Sequence, residues 1–316
     1  MTDTPHIPVM LNEVLAAILP KDGEVYVDGT LGAGGYTRGI LNAAQDCRVV
    51  AIDRDQTAHD MARNWAAPYG SRITLIKASF SELSEKLRAH GVDKVDAIVL
   101  DLGVSSMQLD EGNRGFSFRF DAPLDMRMDT SHGQTAADIV NATPEKELAD
   151  IIYLYGEERR SRHVAAAIVR ARAESRITTT GQLADIVRSA VPSSPKDKID
   201  PATRTFQALR IAVNDELGEL ESILAQSESV LRDGGRLVVV TFHSLEDRIV
   251  KNFMAMKSKP APSPSRHLPQ PINALPNRLS FKPLSKKPVL PTDAEMKKNP
   301  RARSAKLRAI IKQEAA

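Results

Sequence analysis

The sequence predicts an α/β fold with a parallel sheet and an inserted helical segment. In the first hundred residues, short apolar runs alternate with stretches of helical periodicity, the pattern of α/β proteins. The apolar runs, such as residues 49–52 and 97–100, are continuous, as expected of strands covered on both faces. From about residue 103 to residue 210 the strand signal nearly vanishes, which indicates a helical insertion.

Four early strands and one late strand are predicted. The early strands cover residues 25–28, 48–53, 73–77 and 95–102, and the intervals between them leave room for one helix each. The late strand covers residues 236–242. We expect one discontinuous domain, residues 1–104 with 211–316, and an inserted all-helical domain, residues 105–210.

Several helices and their first residues are also predicted. Residues 145–155 and 163–174 have helical periodicity, and Thr179 with Gln182 forms a capping-box pattern before residues 183–190. Apolar positions over residues 206–231 predict one long amphipathic helix. Ser244 with Asp247 resembles an N-cap pair that starts the helix after the late strand.

Composition excludes several classes of protein. No apolar run approaches the roughly 20 residues of a membrane-spanning helix, and the N-terminus lacks the pattern of a secretory signal, so we expect a cytoplasmic protein. The single cysteine, Cys47, excludes an internal disulfide and a cysteine-based zinc cluster. We expect no bound metal.

The C-terminal fifth of the chain is strongly basic. Residues 251–316 contain 15 Lys or Arg and three acids, a local net charge of +12, which leaves −9 for residues 1–250. Such a segment favours a polyanion as partner, and Arg301, Arg303, Lys306 and Arg308 are predicted to contact phosphates. A solvated tail that aids solubility is the alternative. The proline-rich residues 258–291 predict an exposed loop.

A glycine-rich loop follows the first predicted strand. After Asp28 the glycines are spaced G-x-x-G-x-G-G, from Gly29 to Gly35, and a helix follows. Glycines allow close backbone approach to a ligand, and a helix N-terminus offers unpaired N–H groups. Dinucleotide-binding enzymes use G-x-G-x-x-G instead. An acid before the loop suits a cofactor's ammonium group better than a pyrophosphate, which favours S-adenosylmethionine over a dinucleotide. A structural glycine turn is the alternative.

Three more residues follow the ends of predicted strands. Asp53 ends the second strand, where an acid accepts hydrogen bonds from ribose hydroxyls. Phe80 follows the third strand, where an adenine ring needs an apolar neighbour, although a lone Phe is more often a core residue. Asp101 ends the fourth strand. Open α/β sheets bind ligands beyond the carboxyl ends of their strands.

These motifs, with others along almost the whole chain, resemble the ribosomal RNA small-subunit methyltransferase H family, also called MraW. The resemblance rests on HIPVMLNEVL (6–15), DGTLGAGGY (28–36), AIDRD (51–55), DLGVSSMQLD (101–110), RGFSF (114–118), PLDMRMD (123–129), YGEE (155–158), ATRTFQALRIAVNDEL (202–217), FHSLEDRIVK (242–251) and NPRARSAKLR (299–308).

The resemblance implies a class I Rossmann-like methyltransferase with a mixed seven-stranded sheet and an inserted helical domain. It implies methyl transfer to the exocyclic N4 amine of a cytidine in the decoding region of 16S ribosomal RNA, within the small ribosomal subunit. Tyr36 stands where the family commonly has histidine, and a backbone contact would persist there. The implied contacts to S-adenosylmethionine are Gly34, Gly35, Tyr36, Asp53, Phe80, Asp101 and Gln108.

Candidate residues for the chemistry and for RNA follow from these assignments. Asp101 is a hypothesis for the acceptor of an amine proton, and holding the cofactor is its alternative role. Unstacked bases are held by aromatic or Arg planes. The predicted substrate contacts are therefore Phe116, Phe118, Phe120, Arg127 and His243, against the alternatives of a lid packing its own phenylalanines and a structural histidine.

Three other functions share some of these features. A DNA or protein amine methyltransferase has the same cofactor, but the Asn/Asp-Pro-Pro-aromatic motif of base-amine enzymes is absent after the fourth strand. A non-catalytic RNA-binding or assembly factor would use the same basic tail. A nicotinamide dehydrogenase requires a different glycine spacing.

Overall fold

The computed structural model describes residues 7–192, 199–259 and 279–314, which form two compact units. Unit 1 comprises the described residues of Met1–Gly103 and Leu217–Ala316, and unit 2 comprises those of Val104–Glu216. The predicted insertion boundary after residue 210 is wrong by six residues, because it cuts through a helix that continues to Asn214.

Unit 1 contains a mixed seven-stranded sheet, which confirms the predicted α/β, Rossmann-like fold class. The strand order is β3-β2-β1-β4-β5-β7-β6, with β1 to β5 parallel and β7 antiparallel to both β5 and β6. The strands are β1 (Val25–Asp28), β2 (Arg48–Asp53), β3 (Ile73–Lys77), β4 (Val95–Asp101), β5 (Leu231–Thr241), β6 (Phe281–Pro283) and β7 (Lys306–Lys312).

Thirteen helices are present in the described residues. They are α1 (Leu11–Ile18), α2 (Gly35–Ala43), α3 (Gln56–Ala66), α4 (Leu83–Ala89), α5 (Ser106–Asp110), α6 (Ala136–Ala142), α7 (Glu145–Gly156), α8 (Ser161–Glu174), α9 (Thr180–Ala190), α10 (Ala202–Asn214), α11 (Glu216–Val230), α12 (Ser244–Ser258) and α13 (Asp293–Lys298).

The first three predicted strands are confirmed to the residue, whereas the later ones differ. β4 ends at Asp101, and β5 begins at Leu231, five residues before the predicted start. Its register on β4 shifts between Val95 and Ala97, and Gly234 within it has a φ of +78°. The apolar run seen in the sequence is the regular part of the strand, from Arg236 onward.

The core of unit 1 lies between the sheet and its helices. Leu220, Ile223 and Leu224 of α11 are each 1% exposed, and they belong to one cluster with buried residues of the central strands. Val250 and Phe253 of α12 join the same cluster. The continuous apolar character of the strands therefore reflects burial, as the sequence predicted.

Unit 2 is helical and has its own core, formed by α6 to α10 with the preceding loop. The predicted capping box is confirmed: the Thr179 hydroxyl accepts from the Gln182 N–H, and the Gln182 side chain accepts from the Thr179 N–H at the start of α9. Core residues include Leu148, Ile152, Val164, Ile168, Leu183, Val187 and Leu209.

The single long helix predicted over residues 206–231 is wrong, because the chain forms α10 and α11 with a break at Asp215. Asp215 adopts a left-handed conformation with a φ of +46°. Beside the break, the buried Asn214 amide donates to the Met126 carbonyl at 2.8 Å and accepts from the Met128 N–H at 2.7 Å. These tertiary bonds hold the end of α10 in place, and apolar periodicity does not encode them.

The predicted N-cap of α12 is also wrong. His243 is the N-cap, and the Glu246 carboxylate accepts the backbone N–H groups of Phe242 at 2.8 Å and His243 at 3.3 Å. Asp247 instead binds Arg308 on β7.

The exposed loop predicted over residues 258–291 lies partly outside the described residues. Its described end contains β6, in which Phe281 is 1% exposed, so that part of the prediction is wrong. Among the described helices, none has the combined length and apolarity to cross a membrane.

Candidate active site

The glycine loop after β1 is fastened to the ends of three strands. Gly29 donates its N–H to the Val99 carbonyl of β4, and Leu31 donates to the Ile52 carbonyl of β2, each at 3.0 Å. Asp101 donates its backbone N–H to the Thr30 hydroxyl at 2.8 Å. Since parallel strands end at one edge, these bonds bring the loop and the predicted acids together.

Asp28, the acid before the loop, is directed inward. Its side chain is fully buried and accepts from the Thr37 hydroxyl at 2.7 Å and from the Thr30 N–H at 3.1 Å. Burial raises its pKa, and the Thr37 and Thr30 bonds oppose that rise. Both oxygens of Asp28 thus bind the loop and α2, and its place beside a cofactor's ammonium group stays a prediction.

Asp53 ends β2 and connects it to the glycine loop. One carboxylate oxygen accepts from the Gly32 N–H and the other from the Asp55 N–H, each at 2.9 Å. Burial raises the pKa of Asp53, and these two N–H groups oppose the rise. A carboxylate has about four lone-pair sites, so two remain for further donors.

Trp65, at the end of α3, packs against the glycine loop. A Cβ atom added to Gly34, whose φ is +79°, would lie 2.0 Å from Cζ2 of Trp65. Arg38 covers the Trp65 ring at 5.3 Å and donates to the carbonyls of Ala33 and Gly34. No sequence motif indicates that Trp65 packs against the loop, although it is the only tryptophan in the chain.

The N-terminal segment, residues 7–10, covers the start of α2. A Cβ atom on Gly35 would lie 2.6 Å from Cβ of Pro8, and the buried Tyr36 hydroxyl donates to the Val9 carbonyl at 2.6 Å. HIPVMLNEVL (6–15) is part of the family resemblance, but the sequence alone indicates no role for it. The structure shows that it closes one side of the glycine loop.

Asp101 ends β4 in a cluster of acids. Its Oδ1 atom is buried and has no hydrogen-bond partner among the described residues. Burial, with Asp28 and Glu246 nearby, raises the pKa of Asp101 well above its usual range. Burial and the neighbouring Asp101 likewise raise the pKa of Tyr36. An unpartnered buried oxygen is costly to the fold, which makes Asp101 a strong candidate for a ligand contact.

Phe80 follows β3 and lies close to the loop. Its Cε1 atom would be 3.6 Å from a Cβ atom on Gly29, and its ring packs against the core of unit 1. Six of the seven predicted cofactor residues thus belong to unit 1 and follow the ends of β1 to β4. The seventh, Gln108, is buried in unit 2 and caps α5 by accepting from the Ser105 N–H.

The predicted base-binding phenylalanines have different environments within unit 2. Phe116 is 7% exposed and belongs to the core, and Phe118 packs edge-on against Phe206 with ring centroids 4.8 Å apart. Phe120 is 59% exposed. Arg127 forms a two-pronged pair with Asp125, both contacts at 2.8 Å. Packing therefore accounts for two of the phenylalanines.

The remaining predicted RNA contacts belong to unit 1. His243 starts α12, with its Nε2 atom 3.1 Å from Glu246 Oε1. Arg308 is held by Asp247 at 2.7 Å, and Lys306 lies 3.4 Å from the same carboxylate. Arg308 is mostly buried, so the prediction that it contacts phosphate is not supported. Arg303 is exposed.

A mixed seven-stranded sheet with a glycine loop after β1 and carboxylates after β2 and β4 defines this chain as a Rossmann-like methyltransferase. The family model described as the MraW methylase family matches residues 3–313. The chain belongs to the MraW methylase family.

Similar proteins carry consistent names. A ribosomal RNA small subunit methyltransferase H of Methylobacterium nodulans is 58% identical over 306 residues, which are 96% of this chain and 89% of the relative. The protein of the same name from Paramagnetospirillum magneticum is 58% identical over 314 residues, 99% of this chain and 97% of the relative. A Streptococcus mutans putative methyltransferase solved in complex with SAH matches at 12% identity, with a TM-score of 0.43, over 97% of this chain and 99% of that chain.

Proposed function

We propose that this enzyme transfers a methyl group from S-adenosylmethionine to the N4 amine of a cytidine in the decoding region of 16S ribosomal RNA. The observation that carries the proposal is the match over nearly the whole chain to proteins named ribosomal RNA small subunit methyltransferase H. Such a substrate implies a small ribosomal subunit as partner and the cytoplasm as compartment.

The residues at the strand ends fit this cofactor. Asp53 keeps lone pairs for ribose hydroxyls, Phe80 offers an apolar surface for adenine, and Gly34 and Gly35 let the backbone approach. The unpartnered Asp101 oxygen provides a negative or acceptor group nearby. Gln108, in unit 2, is proposed as a cofactor contact from the sequence resemblance. When bound, S-adenosylmethionine supplies a methyl group already activated by a sulfonium.

Asp101 is the proposed acceptor for a proton of the amine. The lone pair of a cytosine amine is delocalised into the ring, so an acceptor for its N–H raises electron density on nitrogen. As the nitrogen bonds to the methyl carbon, the carbon–sulfur bond must break, releasing a neutral thioether, and one N–H proton must leave. Asp101 Oδ1, a buried oxygen without a hydrogen-bond partner among the described residues, would accept that proton. Burial raises the pKa of Asp101. The positive charge of a bound sulfonium would oppose that rise and favour the ionised carboxylate.

On the RNA side, Phe120 presents its ring to solvent and suits stacking on an unstacked base. His243 is a candidate base or phosphate contact at the start of α12. Phe116, Phe118 and Arg127 support the loop that carries Phe120, through the core contacts and the Asp125 pair described above. In-line positioning of the amine is the main demand on such a site.

Incubation of the enzyme with labelled S-adenosylmethionine and unmodified small subunits tests the reaction. Mass mapping of the RNA is expected to find one methyl group on the N4 amine of a single cytidine. Label on another nucleotide or on protein would overturn the proposal, and tight cofactor binding without transfer would favour an assembly factor.

The role of Asp101 needs separate measurements of cofactor affinity and single-turnover rate. Asp101→Asn keeps the shape but removes the ionisable acceptor, and we expect a rate loss of about 100-fold or more. Asp101→Ala serves as the second variant. Weakened cofactor binding with an intact single-turnover rate would limit Asp101 to holding the cofactor.

A further inference from the structure

Unit 2 carries a cluster of cations in the turn between α7 and α8. Arg159, Arg160, Arg162 and His163 are all exposed within five consecutive residues. Among the described residues, none of these side chains has an acid within 4 Å. Several other arginines of unit 2 pair with acids, as Arg188 does with Asp200.

One acid within this turn, Glu158, is already engaged by other groups. Glu158 is 5% exposed, accepts the Arg160 N–H at 2.8 Å and lies 3.7 Å from the Arg204 guanidinium of α10. Glu158 thus holds the backbone of the turn, and the half-exposed Arg204 lies beside the turn. Residues 157–163 contain three arginines and two glutamates, so the turn carries a net positive charge.

The cluster does not serve the stability of α8. Arg162 and His163 lie in the first turn of the helix, where the macrodipole is positive and cations are unfavourable. Arg162 also lies near Lys146 of α7, since its charge opposes the rise in the Lys146 pKa caused by Asp150. A bound polyanion would relieve this repulsion.

Two large apolar side chains are exposed just before the turn. Tyr153 is 57% exposed and Leu154 is 58% exposed in the last turn of α7. Tyr153 is seven residues after Lys146, so the two share one face of the helix. Lys146 itself pairs with Asp150 at 2.9 Å, whereas Arg159, Arg160 and Arg162 follow Tyr153 within nine residues of the chain. Exposed rings and cations are the elements that bind single-stranded nucleic acid, with bases stacked on rings and phosphates on cations.

We propose that the turn surface, formed by Lys146, Tyr153, Arg159, Arg160 and Arg162, binds a single-stranded segment of ribosomal RNA outside the modified nucleotide. This inference rests on the proposed function for its RNA substrate and adds a second point of contact. Tyr153 stacks on a base, and the arginines contact the phosphates on either side.

Charge removal tests the phosphate contacts. Binding of 16S ribosomal RNA is measured against salt concentration for the double variant Arg159→Gln with Arg162→Gln. The slope of log K against log salt is expected to shrink by about 1.4, with affinity roughly tenfold lower at 0.15 M salt. The control is Arg63→Gln with Lys86→Gln, two cations that already pair with Asp60 and Glu82, and it should leave the slope unchanged.

Single substitutions on α7 test the stacking contact. Tyr153→Ala is expected to weaken RNA binding about fivefold or more, whereas Tyr153→Phe retains it. Leu154→Ala, at the equally exposed neighbour, should have no effect. Equal losses for Tyr153→Ala and Leu154→Ala would indicate apolar docking of a protein and overturn the RNA assignment.

Two comparisons separate the possible failures. If the arginine variant binds naked RNA like the wild type but binds intact small subunits poorly, the turn surface contacts a ribosomal protein and the inference is wrong. If the wild type binds RNA but does not methylate it, the proposed function fails while the turn surface stands. Unchanged affinity and slope for both substrates also overturn the inference.

Discussion

At the residue scale, the site depends on a few positions at which another residue type would clash or lose a hydrogen bond. Gly34 combines a left-handed backbone with direct contact to the Trp65 ring, and Asp53 uses both carboxylate oxygens to join β2 to the loop. Each residue therefore shapes the loop before any ligand arrives.

Gly34→Ala is expected to disrupt the glycine loop, because the new Cβ atom would overlap the Trp65 ring. We expect at least a tenfold loss of cofactor affinity and a stability loss of about 1–3 kcal/mol. Calorimetric titration, thermal unfolding and the emission of Trp65 measure the three effects.

Gly23→Ala is the matched control for this substitution. Gly23 has the same φ of +79°, but nothing lies within 4 Å of a Cβ atom there. It should reproduce the backbone strain without the loss of affinity. Equal losses in both variants would show that strain alone, and not the Trp65 contact, explains the effect.

Cofactor affinity should fall as pH is lowered, because Asp53 accepts ribose hydroxyls best when ionised. Burial raises its pKa, so protonation begins above the ordinary Asp value of 3.8. Titrations between about pH 4.5 and pH 7 measure this dependence. Asp53→Asn should bind at least tenfold more weakly at pH 7 and show a flatter pH dependence. Parallel curves for the two proteins would assign the titration to another group.

At the element scale, polar side chains decide how helices and strands are fastened to one another. The Asp247 carboxylate of α12 binds Arg308 and Lys306 of β7, and the Asp247 and Arg308 side chains are 14% and 15% exposed. Glu246, one residue earlier, caps its own helix. Of these two neighbouring acids, Glu246 therefore caps the helix locally, and Asp247 pairs with a distant strand.

Asp247→Asn is expected to destabilise unit 1 by about 2 kcal/mol at pH 7, because it leaves a mostly buried guanidinium without its charge partner. Desolvation alone would raise the pKa of Asp247, but the Arg308 and Lys306 contacts lower it overall. The contribution is therefore fully present above the ordinary Asp pKa and is lost as pH falls below it. Urea unfolding at pH 7 and near pH 3 measures the difference.

Asp60→Asn is the control in the same unit. Its partner Arg63 is 73% exposed and 3.4 Å away, so the expected loss is below about 0.5 kcal/mol. A loss at Asp247 no larger than this would mean that the α12–β7 contact contributes little.

At the scale of the whole molecule, the basic C-terminal segment is divided by the fold. β7 takes Arg308 into the sheet beside Asp247, with its side chain 15% exposed, whereas Lys297, Lys298 and Arg303 are exposed. Net charge in the sequence counts all of these cations equally. Only the exposed ones are available to a polyanion at long range.

Neutralising Lys297, Lys298 and Arg303 to Gln should lower the salt dependence of RNA binding by about 2 in slope. Arg308→Gln should instead lower the stability of unit 1 and leave the slope unchanged. Equilibrium binding at several salt concentrations, with thermal unfolding of each variant, distinguishes the two effects. A reduced slope in the Arg308 variant would show that this cation reaches phosphate.

The sequence by itself determined the early strands, the glycine loop, the positions of Asp53 and Asp101, and the helical character of the insertion. These features depend on burial periodicity and on residues close together in the chain, as in the capping box of Thr179 and Gln182.

Tertiary structure decided which partner each polar group received. Asp28 accepts a hydrogen bond from Thr37, and Arg308 donates to Asp247. The Asn214 amide holds the end of α10, and Trp65 and Pro8 pack against the glycine loop. The partners of Arg308 and Asn214 lie 61 and 88 residues away along the chain, and Pro8 lies 27 residues from Gly35. Contacts at that separation follow from the packing of each unit as a whole, which no local pattern contains.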